Sequence, residues 1–275
     1  MTVWIISIVI VVAFLYPFFT VAMSHYFDVD TSQEFRTWVS PLLPEALKGG
    51  QHIRERAALP HAPFTILRFT TGLGRILMII LSASMAVDEF TRDTTSNLIE
   101  HMRNCVAFLC GKFVVITATT LLLTAGVVIA GTLSGAVITP AVIGETAGVP
   151  FTAKVFVRSL IAPIIVALTI LPYAMFAFLI ALNTRSSVAG VSIGLLTLIV
   201  GEPVLVQIFS SMGSPWSKIV IFTPFVSNQF VKEWLAATTG GSLSYIARTV
   251  LVLVAYTLAL AGLAYASFRR RELTA

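Results

Sequence analysis

Long apolar runs separated by short polar segments constrain this chain more than any other feature. A helix needs about 20 apolar residues to cross the ~30 Å hydrocarbon core of a membrane, and six runs have that length. The hydrophobic fraction is 57% and the charged fraction 11%, whereas soluble domains carry about 25% charged residues. We therefore predict an all-α polytopic membrane protein with one transmembrane domain over residues 1–275. The predicted spans are 3–23, 67–87, 106–133, 155–182, 187–209 and 245–268.

A polar segment, Asp88–Asn104, separates the second predicted span from the third. Its charged residues cannot stay in hydrocarbon, where ionised groups are costly. Leu98, Ile99 and Met102 recur at helical spacing within it, which predicts a short amphipathic helix at the membrane surface. Because such a helix is joined to a span at each end, a soluble partner that binds it could move both spans.

The basic residues Arg269–Arg271, directly after the sixth span, indicate the orientation of the chain. Lys and Arg next to a span favour the cytoplasmic side. Six spans then place both termini in the cytoplasm, together with the segment Asp88–Asn104 and the turn 183–186. The first span lacks the basic n-region of a cleaved signal peptide, so we expect it to be retained. The expected location is the plasma (inner) membrane of a prokaryote.

Two segments on the opposite side, His25–Pro63 and Ser210–Gly241, contain apolar stretches interrupted by proline. They are too short and too polar to form a seventh span. We expect short surface or re-entrant helices in both segments.

Sequence motifs for catalysis are weak or missing. No GxxxxGK[ST] motif occurs, so the chain has no P-loop of its own. Gly190–Gly194 matches G-x-S-x-G, but it lies in an apolar helix and indicates small residues at a helix-packing face. No predicted span contains a histidine, and Cys105 and Cys110 do not have zinc-site or disulfide-framework spacing. We expect no catalytic residue, no metal or cofactor in this chain and no nucleic-acid partner.

One carboxylate, Glu202, stands out within the fifth predicted span and is followed by Pro203. A carboxylate at membrane depth faces a bundle interior, a wet cavity or a partner. Gln207, five residues further on, could share a polar path with it. A structural role stays open, in which Glu202 caps the helix after Pro203 or binds a neighbour. Lys112, in the third span, can extend its amine to the cytoplasmic surface.

The order of the motifs along the chain is similar to that in permeases of type-2 ATP-binding-cassette (ABC) exporters. Glu89–Thr94, followed by Lys112, resembles their E-[FY]-x-x-G-T … K stretch, with Asp93 in place of glycine. Arg103–Cys105 departs from their P-x-S-R, and no basic amphipathic segment precedes the first span. Further similar stretches are Leu43–Leu47 (L-P-x-x-L), Asn183–Ala189 (R-S-S-x-A), Gly201–Pro203 (V-E-P) and Phe268–Leu273 (F-x-R-R-D).

This resemblance implies a permease subunit that works as a homodimer or heterodimer. A separate cytosolic ATPase would bind ATP and Mg²⁺ and drive an amphipathic or hydrophobic substrate out of the cytoplasm. The second and fifth spans would line the path, with Glu202 and Gln207 as candidate path residues and membrane lipid around the bundle. The segment Asp88–Asn104 would be the coupling helix, and its ATPase contacts would be Glu89, Phe90, Arg92, Asp93, Thr94, Leu98 and Arg103.

Other classes of membrane protein remain as alternatives. An ion-coupled secondary transporter would have internal repeats, broken spans and several intramembrane ionisable groups, of which Glu202 is the one good example. A membrane assembly or maturation factor and a structural subunit are further alternatives. An intramembrane enzyme would need paired aspartates, histidines or a metal cluster in its spans.

Overall fold

The computed structural model describes residues 7, 9–19, 59, 61–87, 105–143, 153–212, 220–236 and 243–272. All regular secondary structure among these residues is helical, which agrees with the predicted all-α class. A π-helical segment, Thr197–Gly201, joins the helix Ser187–Leu196 to the helix Glu202–Ser211 without a break. The helices are α1 (Val9–Phe19), α2 (Ala62–Val87), α3 (Cys105–Ile143), α4 (Ala153–Thr184), α5 (Ser187–Leu196), α6 (Glu202–Ser211), α7 (Pro224–Ala236) and α8 (Leu243–Glu272).

Five helical stretches are long and apolar enough to cross a membrane. They correspond to the predicted spans from the second to the sixth, and they indicate a multi-pass membrane protein. Of the first predicted span, residue 7 and α1 are described and helical, and the other residues of that span lie outside the described part of the chain. The largest difference lies in α3, where the apolar stretch continues to Pro140 instead of 133. The five stretches are Ala62–Val87, Leu109–Pro140, Val155–Thr184, Ser187–Ser211 and Ile246–Ser267.

The described residues form two compact groups, one within residues 1–69 and 123–163 and the other within residues 70–122 and 164–275. In the first group, the start of α2 packs closely on α3. A Cβ on Gly131 would lie 3.0 Å from Pro63 Cα, and one on Gly135 would lie 2.7 Å from Ala62 Cβ. The Leu59 backbone N–H donates to Thr139 Oγ1 at 2.9 Å. Glycine therefore permits a close helix contact that a larger residue would prevent.

In the second group, the part of α4 from residue 164 onward is largely buried, since apolar side chains on most of its faces are covered. Phe178 is fully buried and packs edge-on against Phe113 of α3, with ring centroids 5.6 Å apart. The helices α5, α6 and α8 instead expose many large apolar side chains. A helix that is apolar all round is typical of a membrane-buried bundle.

A two-residue turn reverses the chain between α4 and α5. Arg185 takes the left-handed conformation, with φ 53°, that commonly ends helices. The Ser186 hydroxyl then caps α5 by accepting from the Ala189 backbone N–H at 3.3 Å. In α5, a Cβ on Gly190 would lie 2.6 Å from Ala181 Cβ of α4. The predicted helix-packing role of the Gly190–Gly194 run is therefore confirmed.

Within the segment Ser210–Gly241, Pro224 is the first residue of α7 and follows the turn 221–223. Proline suits the first helical turn, where its missing N–H would have no intrahelical partner. The Thr223 hydroxyl accepts from the Val226 backbone N–H at 3.4 Å and so caps the helix. At 13 residues, α7 is too short to cross a membrane, and it packs against α6 and α8.

Candidate functional site

An arginine lies at the middle of α2 and is almost fully buried. Arg75 is 6% exposed, and its Nε donates to the Thr71 carbonyl at 2.5 Å. Its two terminal nitrogens donate to the side-chain oxygen of Asn228 in α7, at 2.9 and 3.2 Å, when the amide oxygen faces the guanidinium. A buried cation is costly unless it is hydrogen-bonded and paired. Residues from two helices therefore hold this charge in a defined place.

A tyrosine of α4 contacts both this arginine and the carboxylate of α6. The Arg75 guanidinium carbon lies 5.0 Å from the centroid of the Tyr173 ring, which is within cation–π range. The Tyr173 hydroxyl donates to Glu202 Oε2 at 2.5 Å. Arg75, Asn228, Tyr173 and Glu202 thus form one polar cluster across α2, α7, α4 and α6. We call these four residues the charged cluster.

The π-helical segment sets the position of Glu202. The Glu202 backbone N–H donates to the Thr197 carbonyl five residues earlier, and π-turns of this kind are frequent at functional sites. The following residue is Pro203, which inside an α-helix would clash with the preceding turn. The wider π-turn makes room for the proline ring. Since the helix continues through Gly201, Glu202 does not cap a free helix start, and its carboxylate binds the neighbour Tyr173.

A cavity of about 330 Å³ lies beside the charged cluster. Residues of α4, the π-helical segment, α6, α8 and the start of α7 line it. Most of this lining is apolar or aromatic, and among the described residues that form it, Glu202 is the only one whose side chain has a formal charge. Ligand sites in proteins are typically apolar cavities of roughly 300–1,000 Å³ with a few placed polar groups. The cavity and Glu202 together are the best candidate site in the described part of the chain.

The structure does not bring the second candidate path residue, Gln207, to this cavity. Gln207 is exposed on α6 and is absent from the residues that line the cavity. Five residues turn a helix by about 140° beyond a full turn, so Glu202 and Gln207 lie on different faces.

The seven predicted ATPase contacts lie outside the described residues: Glu89, Phe90, Arg92, Asp93, Thr94, Leu98 and Arg103.

Lys112 of α3 lies close to the end of α2. Its Nζ donates to the Met85 carbonyl at 3.4 Å. The bond joins the two helices that flank the segment Asp88–Asn104.

Among the residues that the structure describes, no three His, Cys, Asp or Glu side chains are grouped as a metal site would require.

The sequence reasoning identified Glu202 but missed its three partners in the charged cluster. Arg75 could have been identified from the sequence, because it is a charged residue in the middle of an apolar run of membrane-spanning length. Tyr173 and Asn228 carried no comparable signal, since a tyrosine in a span and an asparagine near a helix start are common. Only the packing of four helices brings them together.

The family described as "Protein of unknown function (DUF2705)" matches residues 58–274, a range that includes the whole charged cluster. No curated protein and no solved structure matches the chain. Since the match covers most of its length, the chain belongs to the DUF2705 family of proteins of unknown function.

Proposed function

We propose that this chain is the permease subunit of an ABC exporter, driven by ATP that a separate cytosolic subunit hydrolyses. The observation that carries the proposal is the order of motifs around α2 and α3. Glu89–Thr94 follows α2, and Lys112 follows in α3, in the arrangement that resembles the coupling region of type-2 exporters. In this proposal the chain has six spans in a prokaryotic inner membrane, with both termini in the cytoplasm.

The contacts of α2 support a mechanical role for this region. Lys112 ties the last turn of α2 to α3, so a force on the intervening segment would move both helices together. Arg75 lies twelve residues before Val87, which is about 18 Å along the helix axis. Displacement of α2 would therefore act on Arg75, and through the Tyr173 ring on Glu202 and the cavity.

The cavity supports a transport function over a purely structural one. A structural subunit has no need for a carboxylate that is held beside an apolar cavity at the cost of burying an arginine. We propose that the cavity is part of the substrate path, that Glu202 of α6 faces this path, and that α2 acts on it indirectly, through the contact of Arg75 with Tyr173. A second copy, or a related permease, would complete it. Rigid-body motion of packed helices is an established way to alternate access.

The proposal is tested by co-expression with a P-loop ATPase encoded in a neighbouring reading frame. We expect the two proteins to purify together and the complex to hydrolyse ATP. Glu89→Ala and Arg92→Glu should reduce hydrolysis in the complex and transport, while membrane insertion is unchanged. Glu45→Ala, a change on the predicted outer side, is the matched control and should leave both activities at the wild-type level.

Failure of the ATPase to purify with the chain would argue against the proposal, as would full transport by both coupling variants.

A second candidate, an ion-coupled secondary transporter, is favoured by two observations. Arg75 and Glu202 are both ionisable residues in apolar helices, and a π-turn interrupts the regular helix beside Glu202. That function predicts substrate uptake into proteoliposomes under a proton or sodium gradient without any ATPase.

A further inference from the structure

The described residues that line the cavity combine aromatic rings with one carboxylate. Tyr173, Phe176 and Tyr256 contribute the rings, and Glu202 contributes the charge. Cations are attracted to the faces of aromatic rings, and aromatic cages are a common way to bind organic ammonium groups. This composition favours a positively charged ligand over an anion, which Glu202 would repel.

The Glu202 carboxylate can accept more hydrogen bonds than the described residues donate to it. A carboxylate offers two oxygens and about four lone-pair positions. Its one hydrogen bond within the described part of the chain comes from Tyr173 and uses Oε2. A neutral ligand that displaced water here would leave this carboxylate without a partner for its other oxygen, which is unfavourable in an apolar site.

Arg75 does not occupy the position that a cationic ligand would take in the cavity. Arg75 is engaged by the Thr71 carbonyl, the Asn228 side chain and the Tyr173 ring. It is not among the residues that line the cavity. Arg75 is close enough to act on the charge of Glu202 through space, but it does not line the cavity, so a cation in the cavity would meet the Glu202 carboxylate directly.

We infer that this cavity binds cationic amphiphiles, with the positive nitrogen at Glu202 and the apolar body against Phe176, Leu205 and Leu260. The inference rests on the proposed function, since it names the class of molecule that the exporter would carry. The shared chemistry is an organic cation attached to a hydrophobic group. It can be supplied by the head group of an aminolipid or by a soluble hydrophobic amine.

The test is equilibrium binding of radiolabelled benzyltrimethylammonium to the full chain purified in dodecyl maltoside, without any ATPase. The wild type should bind the probe saturably, and the uncharged isostere neopentylbenzene should not compete. Glu202→Gln should weaken binding by at least about tenfold, because it removes a charged contact in an apolar site. Glu233→Gln, the same change at an exposed carboxylate on α7, should bind like the wild type.

A second variant protects the test against misfolding of Glu202→Gln. Leu260→Trp fills the cavity from α8 and leaves the Tyr173–Glu202 hydrogen bond in place, and it should also abolish binding. Competition by phosphatidylethanolamine, but not by phosphatidylglycerol, would identify an aminolipid as the source of the cation. Lack of competition by both lipids would identify a soluble amine.

Three results would overturn the inference: no saturable binding by the wild type, equal binding by well-folded Glu202→Gln, or equal binding by Leu260→Trp. Because the assay contains no ATPase, it is independent of the coupling experiment. Loss of ATPase association with intact cation binding would refute the proposed exporter function alone. Intact coupling without cation binding would refute the ligand class alone.

Discussion

Replacing Gly190 with alanine should destabilise the chain, although alanine normally favours helices over glycine. The added Cβ would lie 2.6 Å from Ala181 Cβ, 2.9 Å from the Ala177 carbonyl oxygen and 3.0 Å from Ala83 Cβ. Two of these neighbours are on α4 and one is on α2. None is the end of a flexible side chain, so the helices themselves must move apart.

The expected loss follows from two opposing effects. Overpacking of a close contact typically costs about 1–3 kcal/mol, whereas glycine to alanine in a helix interior gains roughly 0.5–1 kcal/mol. In a membrane, close backbone approach is itself a main source of helix association, so we expect overpacking to prevail. A loss of about 1–2 kcal/mol corresponds to a decrease of roughly 2–8 °C in melting temperature for a chain of this size.

The assay is thermal unfolding in detergent, followed by the fraction of monodisperse protein that remains after heating. Gly262→Ala in α8 is the matched control, because a Cβ there would have no neighbour within 4 Å. It should melt at or slightly above the wild-type temperature. If Gly190→Ala melts as high as Gly262→Ala, the close packing of α5 on α4 and α2 is refuted.

Three further predictions concern the charged cluster and the topology. Arg75→Met should lower stability by about 3–5 kcal/mol, because it removes one member of a buried charged network, and thermal unfolding would show this loss. Tyr173→Phe keeps the ring but removes the donor to Glu202, so it should cost about 1.5–3 kcal/mol in the same assay; wild-type stability would refute the bond. In a cysteine-free background, Thr95→Cys should be labelled by a membrane-impermeant maleimide from the cytoplasmic side and Gln51→Cys from outside; outside labelling of Thr95→Cys would contradict both the topology and the coupling role.

The long helices could be predicted from the sequence because apolar runs of membrane-spanning length have few alternatives. Hydrocarbon offers no hydrogen-bond partners, so a run such as Val155–Thr184 must satisfy its backbone groups internally as a helix. The helix ends were less certain. At α3 the sequence stays apolar after 133, and Pro140 did not end the helix as local rules suggest. Another proline, Pro224, is instead the first residue of a helix, α7.

The candidate site could be predicted only in part. Glu202 was visible because a carboxylate in an apolar run is unusual, and the same reasoning applies to Arg75. Their connection was not visible, because it passes through Tyr173 of another helix and depends on how the helices rotate about their axes. Residues that face lipid and residues that face the bundle have similar hydrophobicity in such chains, so no local pattern encodes that rotation.

The charged cluster gives the bundle a means to relate the position of α2 to the chemistry of the cavity. Arg75 cannot leave its partners without becoming an unpaired buried charge, which is strongly unfavourable. A shift of α2 must therefore either carry Asn228 and Tyr173 with it or break the network. When packed helices shift, their interfaces usually switch between discrete arrangements instead of deforming continuously. Because Tyr173 also holds Glu202, each arrangement of α2 would present the carboxylate to the cavity differently. The proposed transport function requires such a difference, because a substrate must bind in one state and be released in another.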